Sequence, residues 1–293
     1  MAAVLEATGL AKRFGKFQAL RGCDLSLPAQ KVIGLVGPNG AGKTTLLQLA
    51  SGLRYPTSGS ISVLGRSPRD DAAALLPHVG FVAQERPLYG DFTVEETLEL
   101  ARRLNPTWDH GYALARVQRF RLPLDARVRR LSTGQRAQVA LALAVGKRPE
   151  LLLLDEPVAN LDPLARLELL EELMATVADG GTSVVLSANA LADVERVCEY
   201  VVILVDGQVR LTGDLEQLTA EHTFVSGPVE RRPFGDGWQI INERHAERHG
   251  TWLLRSVGTT PPIDGSDGTR ARNATLEEIV LAYLRSADKG AQS

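Results

Sequence analysis

The chain has 293 residues, 44% of them hydrophobic and 23% charged, enough for one large domain with an appendage or for two modest domains. A formal net charge of -2 argues against holding nucleic acid by bulk electrostatics. The two cysteines, Cys23 and Cys198, offer neither a disulfide framework nor metal-ligand spacing, which suits a reducing compartment.

Residues Met1 to Glu6 lack the basic region and apolar core of a signal peptide. The longest apolar runs, Leu151 to Leu154 and Tyr200 to Val205, are strand-length and too short to cross a bilayer. Any membrane role is expected to come through a partner.

In chain order, Val4 to Ala7 and Ala19 to Leu27 read as strands of a meander separated by a turn region. Val32 to Val36 is continuously apolar, as expected of a strand buried on both faces. It runs into Gly37-Pro38-Asn39-Gly40-Ala41-Gly42-Lys43-Thr44 and then a helical stretch from Thr45. This is G-x-x-x-x-G-K-[ST] between strand and helix, the Walker A phosphate loop. Glycines let successive N–H groups approach a polyphosphate, and the helix end adds positive potential. Lys43 is expected to reach the β- and γ-phosphates and the Thr44 hydroxyl to ligate Mg²⁺.

A short strand at Ser60 to Leu64 and another at Val79 to Ala83 follow, the latter ending beside Gln84. From Phe92 to Gly146 the texture is helical. It opens on the capping box Thr93-Val94-Glu95-Glu96, continues through a helix at Tyr112 to Phe120, and has a third helix opening near Ser132. Beyond lie a strand at Leu151 to Leu154, a helix at Pro163 to Ala178, a strand at Thr182 to Leu186, a short helix at Leu191 to Val197 and a strand at Tyr200 to Val205. A hairpin turn at Asp206-Gly207 leads to Gln208 to Leu211. The alternation indicates an α/β layered fold.

Near residue 221 the character changes to short strand-like pieces broken by Gly and Pro, with a loop or linker from Gly258 to Asn273. A last capping box, Thr275-Leu276-Glu277-Glu278, opens a helix to about Arg285, with residues Asp288 to Ser293 expected to be disordered. Arg231, Arg232, Arg244 and Arg248 with His245 and His249 form a candidate basic patch, read as a solvated surface. The i,i+4 helical spacing of the two histidines lacks the intervening Glu of a metalloprotease motif and is not read as a metal site.

Leu151-Leu152-Leu153-Leu154-Asp155-Glu156 is an apolar strand ending in two carboxylates, a Walker B pattern. It suits Asp155 to hold Mg²⁺ and Glu156 to polarise a water for attack on the γ-phosphate. Just upstream stands Leu131-Ser132-Thr133-Gly134-Gln135. With it the sequence closely resembles the ATP-binding cassette (ABC) ATPases, whose signature is L-S-x-G-Q, over roughly residues 1 to 220.

The resemblance implies a P-loop core of ABC type with an N-terminal antiparallel β-subdomain and a helical subdomain at about residues 92 to 146. Residues 221 to 293 form a small α+β extension. It implies that Phe14 stacks on adenine, that Gln84 senses Mg²⁺ and the γ-phosphate and meets a membrane partner, and that Asn160-Leu161-Asp162 is the D-loop. Gly37, Asn39, Gly40, Gly42, Lys43, Thr44 and Thr45 take the phosphates of ATP, with Thr44, Gln84 and Asp155 around Mg²⁺. Ser132, Gly134, Gln135 and Asp162 act across the interface of a dimer of two chains that sandwiches two ATP molecules. The whole is similar to bacterial exporter-type (ABC-2) ATPase subunits that serve a separate multi-span permease at the cytoplasmic face of the membrane, with no nucleic-acid partner. A soluble ABC ATPase of ribosomes or DNA, or an ATP-gated regulatory module, is the alternative. One motif departs: where the family's H-loop histidine stands, this chain has Asn189, and no histidine lies between His110 and His222. Asparagine cannot carry a proton near neutral pH. The expectation is slowed hydrolysis, against a tolerated variant with Glu156 sufficient.

Overall fold

A computed structural model describes residues 3–229, 234, 237–246, 248–257 and 268–290. Three sheets organise them. The first pairs β1 (Ala3–Phe14) with β2 (Phe17–Pro28) across a two-residue turn. These are two long strands, where the sequence suggested shorter pieces. Its third strand, β4 (Ser58–Val63), lies on the other edge of β1.

The second sheet is the core. Its order is β5-β6-β7-β3-β8-β9, with β3 (Val32–Val36) between β7 (Ser183–Ala188) and β8 (Tyr200–Val205). The strands β5 (Val79–Val82) and β6 (Leu151–Leu154) extend it in parallel, and β9 (Gln208–Asp214) closes one edge antiparallel. Every residue of β3, β6 and β7 is buried, which accounts for the uninterrupted apolar runs of β3 and β6 and for the Val184-Val185-Leu186 centre of β7. Each fully buried Leu, Ile or Val contributes about 1.5–3 kcal/mol of burial free energy. Helices α1 (Lys43–Ala50), α6 (Pro163–Ala178) and α7 (Leu191–Val197) follow strands β3, β6 and β7 of this layer, while the short α2 (Ala72–Leu75) lies between β4 and β5.

Between β5 and β6 the chain makes the helical subdomain of α3 (Val94–Leu104), α4 (His110–Arg119) and α5 (Thr133–Val145). Its own small core holds Val94, Leu98, Val117, Leu131 and Val139. A polar joint ties α4 to α6. Arg116 Nε lies 2.9 Å from Glu172 Oε1, Arg116 also pairs with Asp179, and the Tyr112 hydroxyl donates to Asp179 at 2.9 Å. Glu172 is only 1% exposed, and Arg119 Nε also approaches it, 3.3 Å from Oε2, so two cations compensate this one buried carboxylate.

The third sheet, β11-β12-β10-β13, is antiparallel and comprises β10 (His222–Pro228), β11 (Trp238–Ala246), β12 (His249–Ser256) and β13 (Arg270–Asn273). It is reached through α8 (Leu215–Glu221) and covered by α9 (Leu276–Gly290). The expected capping box is present, with Thr275 Oγ1 accepting from Glu278 N at 3.2 Å. Ile279 and Val280 of α9 join the same buried cluster as Val201 and Ile203 of β8, so the extension shares a core with the main sheet.

Several tail expectations are corrected. His245 and His249 lie on paired strands, where β-pairing overrides the local helical spacing. Residues 270–273 are strand rather than linker, and α9 runs on to Gly290, beyond the expected stop near Arg285. Arg231, Arg232, residues 258–267 and residues 291–293 lie outside the described residues.

Candidate active site

The strand order brings four carboxyl ends side by side: β5 leading to Gln84, β6 to Asp155 and Glu156, β7 to Asn189, and β3 to the glycine loop. Open α/β sheets bind ligands at such an edge. A cavity of about 330 Å³ lies there, lined by Phe17, Ala19, Asn39, Gly40, Gly42, Lys43, Thr44, Thr45, Gln84, Glu156 and Asn189.

The loop is shaped for close approach. Gly42, at φ 105°, ends the loop, and a Cβ there would stand 2.6 Å from the Ala19 carbonyl oxygen. Lys43 is 5% exposed and folds back so that Nζ donates to Gly37 O at 2.7 Å, Pro38 O at 3.2 Å and Asn189 Oδ1 at 2.9 Å. Burial pulls the Lys43 ammonium below its ordinary pKa, with Glu156 and Asp155 opposing that shift. An arriving phosphate therefore meets a partly desolvated cation whose donors already have acceptors.

The carboxylates are held rather than free. The Thr44 hydroxyl donates to Asp155 Oδ1 at 3.1 Å, and the Ser187 hydroxyl donates to the same oxygen at 2.8 Å. Ser187 Oγ also accepts from Glu156 N at 2.8 Å. Glu156 itself has φ 47°, a left-handed backbone that a non-glycine residue keeps only when its surroundings enforce it. Its oxygens accept from Asn189 Nδ2 at 2.7 Å and Gln84 Nε2 at 3.2 Å. Thr44 and Asp155 offer the hard oxygen donors that suit Mg²⁺, and Gln84 keeps its carbonyl oxygen available while its amide donates to Glu156.

Sequence reasoning passed over Ser187, which is fully buried between the two carboxylate residues. Its only sequence signal was a polar residue following the apolar run Val184-Val185-Leu186. Phe14 does not line the cavity. Its ring lies under Arg54, at 4.9 Å from Cζ, and Lys12, at 5.2 Å from Nζ.

Ser132, Gly134, Gln135 and Asp162 are likewise outside this cavity. They stand together on a separate surface. Ser132 caps α5, its Oγ accepting from Gln135 N at 3.1 Å while Gln135 Oε1 accepts from Ser132 N at 2.9 Å. Asp162 caps α6, Oδ1 accepting from Leu164 N and Ala165 N at 3.1 and 3.0 Å. Each cap contributes about 1 kcal/mol. The two helix starts touch at Gly134, where a Cβ would come within 2.8 Å of Ala165 Cβ.

Comparison with known proteins gives one consistent answer. Residues 20–159 match the family model described as ABC transporter. A Nod factor export ATP-binding protein I from Burkholderia lata is 33% identical over 299 residues, covering 95% of this chain and 96% of that protein. An uncharacterized ABC transporter ATP-binding protein, YhaQ of Bacillus subtilis, is 33% identical over 287 residues, covering 94% and 88%. A solved ATP-binding subunit of an ABC transporter superposes with a TM-score of 0.67 at 30% identity, covering 74% of this chain and 92% of that one.

Proposed function

The chain belongs to the ATP-binding proteins of ABC transporters, and from that premise we propose that two copies close around two ATP molecules to drive a separate export permease. The observation that carries the reading is the split site. The cavity holds Lys43, Thr44 and Glu156, while Ser132 to Gln135 and Asp162 present capped helix starts elsewhere on the surface. Such helix ends attract anions. One chain alone cannot bring them to its own loop, so a second copy supplies them.

Within one site, the loop N–H groups and Lys43 take the β- and γ-phosphates. Thr44, Asp155 and Gln84 would hold Mg²⁺, which would supply neutralisation of charge on the phosphate oxygens. Glu156 accepts a proton from the attacking water, and the Asn189 carboxamide keeps Glu156 and Lys43 in register. Asn189 supplies no protonatable group, so turnover is slow.

The permease contact follows from a second cavity, of about 390 Å³, that begins at Ala83 and Arg86 beside Gln84. Its walls include Leu53, Tyr89 and Leu104, which are 65%, 66% and 70% exposed. An apolar groove of this kind fits a helix of a hydrophobic multi-span partner. No described helix is long and apolar enough to cross a membrane itself. The export assignment rests on kinship with the Nod factor export protein of Burkholderia lata.

The test is phosphate release with Mg²⁺ and ATP, together with light scattering. Glu156→Gln is expected to cut turnover by on the order of 10² or more while ATP-dependent dimers accumulate. A Glu156→Gln chain that stays monomeric with ATP would sink the two-copy site.

A further inference from the structure

We propose that Arg86 is a positioning residue for the reaction, tying the wall of the apolar groove to the backbone that carries Glu156 and leads on to Asp162. The inference rests on the reading of Glu156 as the group that accepts the water's proton.

Arg86 lines the groove together with Leu53 and Tyr89. Its guanidinium crosses to the segment beyond the end of β6. There Arg86 Nη2 donates to Pro157 O at 2.7 Å and, more weakly, to Ala159 O at 3.4 Å. Pro157 is buried and has no N–H, so its carbonyl is the one backbone group through which it can be held. Ser187 holds Glu156 from one side through its amide, and Arg86 holds the residue immediately after it. The segment needs such constraint, because Glu156 and Asn160 bracket it in left-handed backbone, at φ 47° and 60°. Asparagine tolerates that region, whereas glutamate keeps it only when its surroundings enforce it.

Stability does not explain the arrangement. Arg86 itself sits at φ 47°, and its Nε is buried with no acceptor among the described residues. Burial pulls the guanidinium below its ordinary pKa, and the charge of Arg136 adds to the shift. A side chain held strained, desolvated and partly unsatisfied marks a functional constraint. Because Arg86 also lines the groove, a helix seated there touches the same side chain that holds the segment after Glu156.

Phosphate release by the full chain with Mg²⁺ and ATP tests this, alongside amide hydrogen exchange read by mass spectrometry. Arg86→Ala is expected to lower kcat about tenfold, the scale of one charge-assisted hydrogen bond, with KM for ATP shifted less than about twofold. Exchange over residues 156–162, where Ala159 N donates to Glu156 O at 3.1 Å, should quicken, while residues 37–44 keep wild-type protection. Arg86→Lys, which keeps the charge and can reach one carbonyl, should recover part of the rate. The inference fails if kcat is unchanged. It fails equally if Arg86→Ala raises KM and loosens residues 37–44 as much as residues 156–162, the mark of a general structural role. Undiminished phosphate release by Glu156→Gln would overturn the reading of Glu156, and the kinetic role of Arg86 with it. Unchanged exchange over residues 156–162 in Arg86→Ala would overturn the Arg86 tie alone, whatever Glu156 does.

Discussion

Asn189 bridges Lys43 and Glu156, accepting from the ammonium through Oδ1 at 2.9 Å and donating to the carboxylate through Nδ2 at 2.7 Å. Lysine can only donate and an ionised carboxylate can only accept, so the two partners fix the carboxamide's orientation. A cation and an anion are thereby joined through a neutral side chain at the rim of the cavity beside the glycine loop. The bridge positions both groups but cannot share a proton with either.

On the proposed reading of this site, Asn189→His is expected to be a gain-of-function substitution. Imidazole can carry charge near neutral pH and contribute where negative charge develops. Steady-state phosphate release is expected to rise, by up to about 10²-fold. An unchanged rate would show that Glu156 suffices and that the asparagine is merely tolerated. Equilibrium ATP binding should change far less than the rate, because loop contacts dominate it.

Much of this was legible because local signals and burial agree. The helix Pro163–Ala178 starts where Asp162 caps it and proline occupies its first position, so pattern and structure coincide. Strand Tyr200–Val205 is apolar throughout and ends at the Asp206-Gly207 turn. Residues 8–14 of β1 were hidden because their side chains are mostly exposed, and pairing on both edges, not alternation, holds them as strand. The short helix Leu215–Glu221 carries too few residues for a period to emerge.

Ser187 is the site residue that only three dimensions reveal, since its two partners lie 31 and 32 positions away in the chain. Ser187→Ala removes one donor from Asp155 Oδ1 and one acceptor from Glu156 N. The loss of an acceptor leaves a backbone N–H unsatisfied, at a cost of about 1–3 kcal/mol. Glu156 at φ 47° then loses part of what enforces its conformation. The expected result is a lower phosphate-release rate with tripolyphosphate affinity retained, and Ser187→Thr recovering part of the rate. Equal losses in rate and tripolyphosphate affinity would mean that the loop itself had been disturbed.

The joint between core and tail depends on His222, which is fully buried at the start of β10. Its Nδ1 lies 2.7 Å from Leu218 O, which can only accept, so that nitrogen carries the proton. Nε2, left as an acceptor, takes the Tyr283 hydroxyl of α9 at 3.2 Å. Burial holds the imidazole pKa below its ordinary 6.5, with the Leu218 hydrogen bond and Glu221 pulling upward and Arg255 pushing down. The folded state therefore keeps His222 neutral where the unfolded chain would already bind a proton. Its contribution is full above about pH 6.5 and is lost as pH falls below that towards the folded value. The melting temperature should drop between pH 7 and pH 5.5, and His222→Gln should flatten that slope while lowering the plateau. A slope of the same size in the variant would assign the pH dependence to other groups.

Cys198 closes the far side of β3, the strand that delivers the glycine loop. A Cβ on Gly34 would stand 3.1 Å from its Sγ and 2.6 Å from Val194 Cγ1, so α7 is pressed tightly onto that strand. Burial pushes the Cys198 thiol up to about 12, with Asp193 and Glu199 adding to the shift. At pH 8 about one molecule in ten thousand then carries the thiolate, the reactive form. Burial raises Cys23 as well, although the Arg21 and Val209 backbones oppose the shift, and its Sγ donates to Gly207 O at 3.0 Å. Neither thiol should react with a disulfide reagent at pH 8 in the folded chain, and both should react once denaturant is added. Fast labelling of one thiol in the native state would mean that the contact of α7 with β3, or of β2 with β9, opens far more readily than this packing allows. Because α7 sits directly behind the loop strand, ATP should slow any residual labelling of Cys198 more than that of Cys23.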